Sequence, residues 1–454
     1  MSFSDDFVWG AAAASYQIEG AAFTDGKGLS VWDMMCRQEG RVWSGHSGET
    51  ACDHYHRYAE DAALMRQIGL KAYRFSVSWP RVLPEGVGAV NEKGLDFYDR
   101  LVDALLQNGI KPYLTLFHWD FPYELYLRGG WLNRDSAAWF AEYAGVLVER
   151  LSDRVADWMT LNEPQCYIGL GLVDGIHAPG DKLGIEEALR AGHHTLLGHG
   201  RAVQALRAGA RQPLSIGYVP TGTMALPASE GEADIEAARK AMFGVSGDSC
   251  WNVSWWTDPV YLGRYPEEGL EAYGAKAPVV EAGDMETISQ PLDYFGINIY
   301  NGYTVAADGA GSRTLERPTG HALCANKWPM TPEALYWGPR FCYERYGLPV
   351  LVAENGLSNQ DWVALDGKVH DPLRIDFTRR YLLEYRRAAA DGVELMGYFH
   401  WSVFDNFEWA EGYKERFGLV YVDYETQERI PKDSADWYAG VIASNGAALD
   451  ETPH

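Results

Sequence analysis

The run DHYHRYAEDAALMRQIGLKAYRFSVSW, residues 53–79, holds the repeating unit of the fold. Its first part places Tyr55, Tyr58, Ala62, Met65 and Ile68 at steps of three or four, the spacing of one helix face, and Gly69 marks the stop. Its second part, 71–79, is a short apolar and aromatic run of strand length. The unit then recurs. Leu95, Tyr98, Leu101, Val102 and Leu105 mark a second helix over 93–107, Gly109 ends it, and 111–119 reads as the next strand. Working outward, the apolar runs at 7–15, 71–79, 111–119, 156–162, 213–219, 292–300, 349–354 and 394–402 are expected as strands, with amphipathic stretches between them.

Near-continuous apolar strands that alternate with helices imply a parallel sheet buried on both faces. Eight such units fit a closed (β/α)8 barrel of the α/β class, with elaborated loops at its C-terminal face. The rival is an open doubly wound sheet, which calls for a glycine-rich phosphate turn after the first strand, and none follows Ser15. No Pro/Ser linker or low-complexity tract divides the chain, so residues 1–454 are expected to form a single catalytic barrel domain. Barrels with long loops can exceed about 400 residues in one unit.

A barrel places its chemistry at the C-terminal ends of strands. Polar and aromatic residues crowd those ends here: Ser15-Tyr16-Gln17-Ile18-Glu19, His118-Trp119-Asp120, Thr160-Leu161-Asn162-Glu163-Pro164, Asn298-Ile299-Tyr300, Glu354-Asn355-Gly356 and His400-Trp401. An ionised Glu at the end of a buried strand is costly unless it is paired or functional. Glu163 and Glu354 close the fourth and seventh strands, so both belong on one rim. Two carboxyls on one rim are what glycoside hydrolysis needs, one protonated to donate to the leaving oxygen and one ionised to attack the anomeric carbon. A separation of about 5–5.5 Å gives retention, and about 6.5–9.5 Å gives inversion.

Together these stretches resemble family 1 of the glycoside hydrolases, the β-glucosidase family, along nearly the whole chain. Phe7-Val8-Trp9-Gly10, Cys52-Asp53-His54-Tyr55, the stretch Tyr73 to Trp79, Trp401-Ser402 and Asn406-Phe407-Glu408-Trp409 extend the match. The resemblance implies a retaining β-glucosidase with Glu163 as acid/base and Glu354 as nucleophile, and with activity on galactosides and fucosides left open. It implies that Arg74 and Tyr300 orient Glu354 and keep it ionised. It implies that Gln17, His118, Asn162, Glu408 and Trp409 hold the glycone hydroxyls, with Asn298 lining the same rim. Trp401 would be an apolar floor and Trp328 an aglycone platform. His118, Trp401, Trp409 and above all Trp328 also fit plain packing.

Three positions depart from the pattern: Ala353 and Ala13 stand where Thr is usual, and Gln165 where an aromatic is common. Gln165 bears on leaving-group preference. Glu408 and Trp409 occupy the region where phospho-sugar relatives carry Ser and a Lys/Tyr set, so a neutral glycone is expected. A transglycosylase on the same machinery and a catalytically silent sugar-binding barrel are the alternative readings.

Composition agrees with a small neutral substrate. Lys and Arg number 39 against 63 Asp and Glu, a net charge of −24. That field repels nucleic acid, anionic membrane and phosphorylated ligands alike, and it is compatible with a homo-oligomer. The N-terminus lacks a basic and apolar leader, and no run of about 18 apolar residues occurs. Six scattered cysteines without C-x-x-C pairing read as free thiols of a cytoplasmic protein. His193, His194 and His199 do not share one helical face and are expected to pack rather than bind metal. Neither metal nor organic cofactor is required. Segment 302–331 shows little pattern, and Gly309–Gly320 is expected as a loop.

Overall fold

In a computed structural model that describes residues 3–247, 249–309 and 311–451, eight parallel strands close into one barrel. They are β1 (Val8–Ala12), β2 (Ala72–Ser76), β3 (Lys111–Phe117), β4 (Asp157–Asn162), β5 (Ser215–Val219), β6 (Tyr294–Asn298), β7 (Val350–Asn355) and β8 (Leu395–Trp401). Each pairs with its sequence neighbour, and β8 closes on β1 through Val8 to Ala12 against Gly397 to Trp401. Seven lie inside the ranges expected from the apolar runs, and β7 runs one residue past its range, to Asn355. Every residue of β2, β4, β6 and β7 is buried, as a sheet covered on both faces requires.

Helices ring the barrel with their apolar faces inward. His54–Gln67 and Glu92–Gln107 match the periodic stretches. Gly69 and Gly109 follow them with φ of 81° and 73°, left-handed positions that suit glycine beyond a helix end. Ser15, expected as the last residue of the first strand, instead opens the helical turn Ser15–Ile18 beyond β1, which carries Gln17 inward over the rim.

The pairing is irregular where the chemistry is expected. Register shifts fall between Val352 and Glu354 against β6, between Val352 and Asn355 against β8, and between Met159 and Asn162 against β5. Such bulges re-aim side chains at strand ends.

One expectation fails outside the barrel. The stretch thought patternless contains strands Gly302–Asp308 and Gly311–Thr314, joined to Met224–Pro227 in a small sheet; Ala310 lies outside the described residues. The outer strand is wholly exposed, so it had no apolar alternation to betray it. Among the described residues no helix is long and apolar enough to cross a membrane.

Candidate active site

Arg74 ends up at the centre of the C-terminal rim because β2 delivers it there fully buried. An interior guanidinium needs partners in several directions. It donates Nη1 to Glu354 Oε1 at 2.6 Å and to the Ala353 carbonyl at 3.2 Å, and Nη2 to Asn162 Oδ1 at 2.5 Å. Nε rests on Thr115 Oγ1 at 3.2 Å and Met159 Sδ at 3.1 Å, on β3 and β4. Tyr300 donates its hydroxyl to Glu354 Oε2 at 2.7 Å, so both oxygens of that carboxyl are held.

Glu163 is reached through two amides. Asn298 Nδ2 donates to Glu163 Oε1 at 2.7 Å and to Asn162 Oδ1 at 3.0 Å. With Oδ1 taken by Arg74 and Asn298, Asn162 turns Nδ2 toward His118 Nε2 at 3.1 Å. Burial, then Arg74, pushes His118 well below its ordinary pKa. The ring is therefore neutral, accepts at Nε2 and carries its proton on Nδ1.

The two carboxyls sit in unlike environments. Burial, then the charge of Glu354, pushes Glu163 up to about 7, against the hydrogen bonds from Asn298 and Cys166. Burial raises Glu354 as well, while Arg74 and Tyr300 pull it down. The expected partners of Glu354 are thus in place and act in the expected direction, but burial outweighs them. Glu354 has a cation in contact and Glu163 has none, so the first proton to leave the pair leaves Glu354.

A second group of residues forms one side wall. Gln17 Nε2 donates to Asn406 Oδ1 at 3.0 Å, the Phe407 carbonyl at 2.9 Å and Glu408 Oε2 at 3.3 Å. Among the described residues its buried Oε1 has no hydrogen-bond partner, nor has Asn298 Oδ1, so each has acceptor capacity left for a polar ligand. Burial and the nearby Glu354 push Glu408 up to about 8. Trp401 and Trp409 lie near-parallel to His118, with ring centroids at 5.7 and 5.9 Å. Trp328, 38% exposed, stands 5.0 Å from the Tyr300 ring.

Sequence reasoning did not single out the supports behind these groups. Trp119 donates Nε1 to the Asn162 carbonyl at 3.0 Å and packs 4.6 Å from Trp409. Cys166 donates its thiol to Glu163 Oε2 at 3.2 Å. Asp405 accepts from Lys432 Nζ at 2.6 Å and Arg416 at 2.7 Å, all three largely buried, which anchors the loop carrying Asn406 to Trp409. Glu163, Trp119 and Trp409 hold left-handed backbones at φ of 47°, 78° and 49°. Each costs an ordinary residue about 1–2 kcal/mol, strain that clusters at functional sites.

Other residues are placed away from the rim or tied down. Gln165 pairs its amide with Thr221, donating to the carbonyl at 2.9 Å and accepting from the N–H at 3.4 Å. His193 meets Asp284 and Tyr265, His194 the Trp131 carbonyl, and His199 the Thr160 hydroxyl. The three histidines thus serve three separate contacts.

Comparison with known proteins points one way. Residues 1–447 match the model of the family described as glycosyl hydrolase family 1. Beta-glucosidase A of Thermotoga maritima is 45% identical, with 98% of each chain covered. A 1,4-beta-D-glucan glucohydrolase of Thermotoga neapolitana is 46% identical over 98% of this chain and 99% of its own. The solved structure of the Thermotoga maritima beta-glucosidase with glucoimidazole superposes with a TM-score of 0.90 at 46% identity, covering 98% of this chain and 99% of that one. Its complex with galacto-hydroximolactam gives 0.89 at 45%, with the same coverage.

Proposed function

Because the chain belongs to glycosyl hydrolase family 1, we propose that it is a β-glucosidase releasing terminal non-reducing β-D-glucosyl residues by double displacement with retention. Oligosaccharides and aryl or alkyl glucosides are the substrates. Glu354 attacks the anomeric carbon and forms a glycosyl-enzyme, while Glu163 protonates the departing aglycone oxygen. Glu163 then takes a proton from the incoming water, and the glycosyl ester is hydrolysed. The observation that carries this reading is the asymmetry of the two carboxyls, with Glu354 held by Arg74 and Tyr300 while Glu163 has only neutral donors.

Asn162, fixed by Arg74, Asn298 and His118, suits a contact with the 2-hydroxyl that strengthens as the ring flattens toward the transition state. Gln17, His118, Glu408 and Trp409 bind the remaining glycone hydroxyls, Trp401 floors the ring, and Trp328 stacks on the aglycone. A carboxyl at Glu408 accepts from neutral hydroxyls and offers a phosphate no cation, which supports an unphosphorylated glycone. The six cysteines form no disulfide among the described residues, which supports work in a reducing compartment.

The test is release of nitrophenol from aryl β-D-glucoside, with the galactoside and the 6-phospho-glucoside in parallel. Turnover of the glucoside that disappears in Glu354→Gln supports the assignment. No turnover of any of the three by folded protein would leave sugar binding or glycosyl transfer as the reading.

A further inference from the structure

Both oxygens of the Glu163 carboxyl accept a hydrogen bond from a neutral donor, and the two donors differ in kind. Oε1 accepts from the Asn298 amide at 2.7 Å, and Oε2 from the Cys166 thiol at 3.2 Å. An amide N–H can only donate, so the oxygen facing Asn298 is an acceptor in every protonation state. A thiol is a weak donor and a weak acceptor on a freely turning bond, so the oxygen facing Cys166 can carry a proton without a clash.

Cys166 is also bound to Glu163 through the main chain. Its N–H donates to the Glu163 carbonyl at 2.9 Å, which closes the turn that keeps Glu163 at φ 47°. It opens the π-helical run Cys166–Val173, and its side chain is buried, with the Cys250 thiol near enough to help raise its pKa. One residue therefore clamps Glu163 at both backbone and carboxyl. Burial, then the charge of Glu163, drives the Cys166 pKa well up, so the group stays a thiol and a donor.

We propose that Cys166 is a positioning residue for the acid/base step. Its thiol assigns the transferable proton to Oε2 of Glu163 and stabilises the carboxylate once that proton has gone to the aglycone. The inference rests on the acid/base role proposed above for Glu163. The other titratable and charged groups that face Glu163 are Glu354 on β7, Arg74 on β2, Tyr300 beyond β6 and Glu408 beyond β8, and none of them touches Oε2.

The sign follows from the donor. Removing it disfavours the ionised form, so Cys166→Ala raises the Glu163 pKa and moves the alkaline limb of kcat/KM upward by about half a pH unit. Cys166→Ser supplies a stronger donor in nearly the same place and moves the limb down. The experiment is the pH profile of kcat/KM on phenyl β-glucoside, whose leaving group needs a proton, beside dinitrophenyl β-glucoside, whose leaving group does not. Cys250→Ala, which alters the neighbouring thiol but no partner of Glu163, is the control.

Opposite shifts for Ala and Ser on the phenyl substrate, absent on the dinitrophenyl substrate and absent in Cys250→Ala, are the expected result. Shifts of the same sign, shifts of equal size on both substrates, or no shift in a variant of unchanged Tm would overturn it. If Ala does not fold, the near-isosteric Ser variant alone decides by the direction of its shift. Failure of the underlying reading looks different, because Glu163→Gln would then keep its rate on the phenyl substrate.

Discussion

Replacing Tyr300 by Phe removes one oxygen atom and leaves the ring where it packs, 5.0 Å from Trp328 and 6.3 Å from Phe417. Glu354 keeps Arg74 on Oε1 at 2.6 Å but loses the hydroxyl donor on Oε2, at 2.7 Å. A hydrogen bond to a charged group contributes about 1.5–3 kcal/mol, part of which survives when the acceptor is protonated. A difference of about 1.4 kcal/mol between the two forms corresponds to about one pKa unit. The lost bond favoured the ionised form, so Glu354 rises further. In the proposed mechanism Glu354 attacks in its ionised form, so the acid limb of kcat/KM moves to higher pH by about one unit. The assay is kcat/KM on nitrophenyl β-glucoside across the pH range, with Tm measured alongside. An acid limb that stays in place or moves down, at unchanged Tm, would refute the argument that Tyr300 supports the ionised nucleophile.

Other consequences can be measured with the same preparations. Gly356 has no room for a side chain, since a Cβ there would lie 1.9 Å from the Trp401 carbonyl oxygen. Gly356→Ala should therefore lower Tm and kcat together, by about 1–3 kcal/mol in stability, and an unchanged Tm would contradict the packing. In the proposed mechanism Glu163 is protonated in the first step, so kcat/KM on a poor leaving group should fall above about pH 7. Glu354→Gln removes a charge that raises Glu163, so carbon NMR of labelled glutamate should show Glu163 titrating lower, yet still above an ordinary glutamate because burial is the larger cause. Burial raises Asp284, but hydrogen bonds from Arg134, His193 and the Glu281 N–H overcome it and hold the carboxyl at about 2. A folded value below the unfolded one, about 3.9, gives stability that is complete above the unfolded value and lost as pH falls through the folded one. Asp284→Asn should accordingly melt below the parent at neutral pH and show a shallower fall of Tm between about pH 4 and pH 2.

The barrel was legible because each strand is an apolar run of the right length beside a helix of clear period, as 53–79 illustrates. The rim was legible because a buried strand that ends in Asn162-Glu163 or Glu354-Asn355 contradicts its own hydrophobic pattern, and the contradiction marks the site. What holds the rim in place was harder to read. Trp119 and Asp405 look like ordinary residues of an aromatic or acidic stretch, and their partners Asn162, Arg416 and Lys432 lie 43, 11 and 27 positions away, outside any local pattern. Cys166 had a local signal, three residues beyond Glu163 and so one turn away if the segment is helical, but a thiol in an apolar run reads as an ordinary buried side chain. The strand Gly311–Thr314 had none, because an exposed edge carries no alternation. The expectation that Arg74 keeps Glu354 ionised named the right contact and left out the opposing burial.

The central claim is that Glu354 becomes covalently glycosylated. Incubation with a dinitrophenyl 2-deoxy-2-fluoro-β-glucoside, which slows both steps but the second more, followed by intact mass and peptide mapping, tests it most directly. One fluoroglucosyl group per chain is expected, on the peptide containing Glu354, with turnover restored as the label is lost. Label on another residue, or an unlabelled enzyme that releases product of inverted configuration, would contradict it.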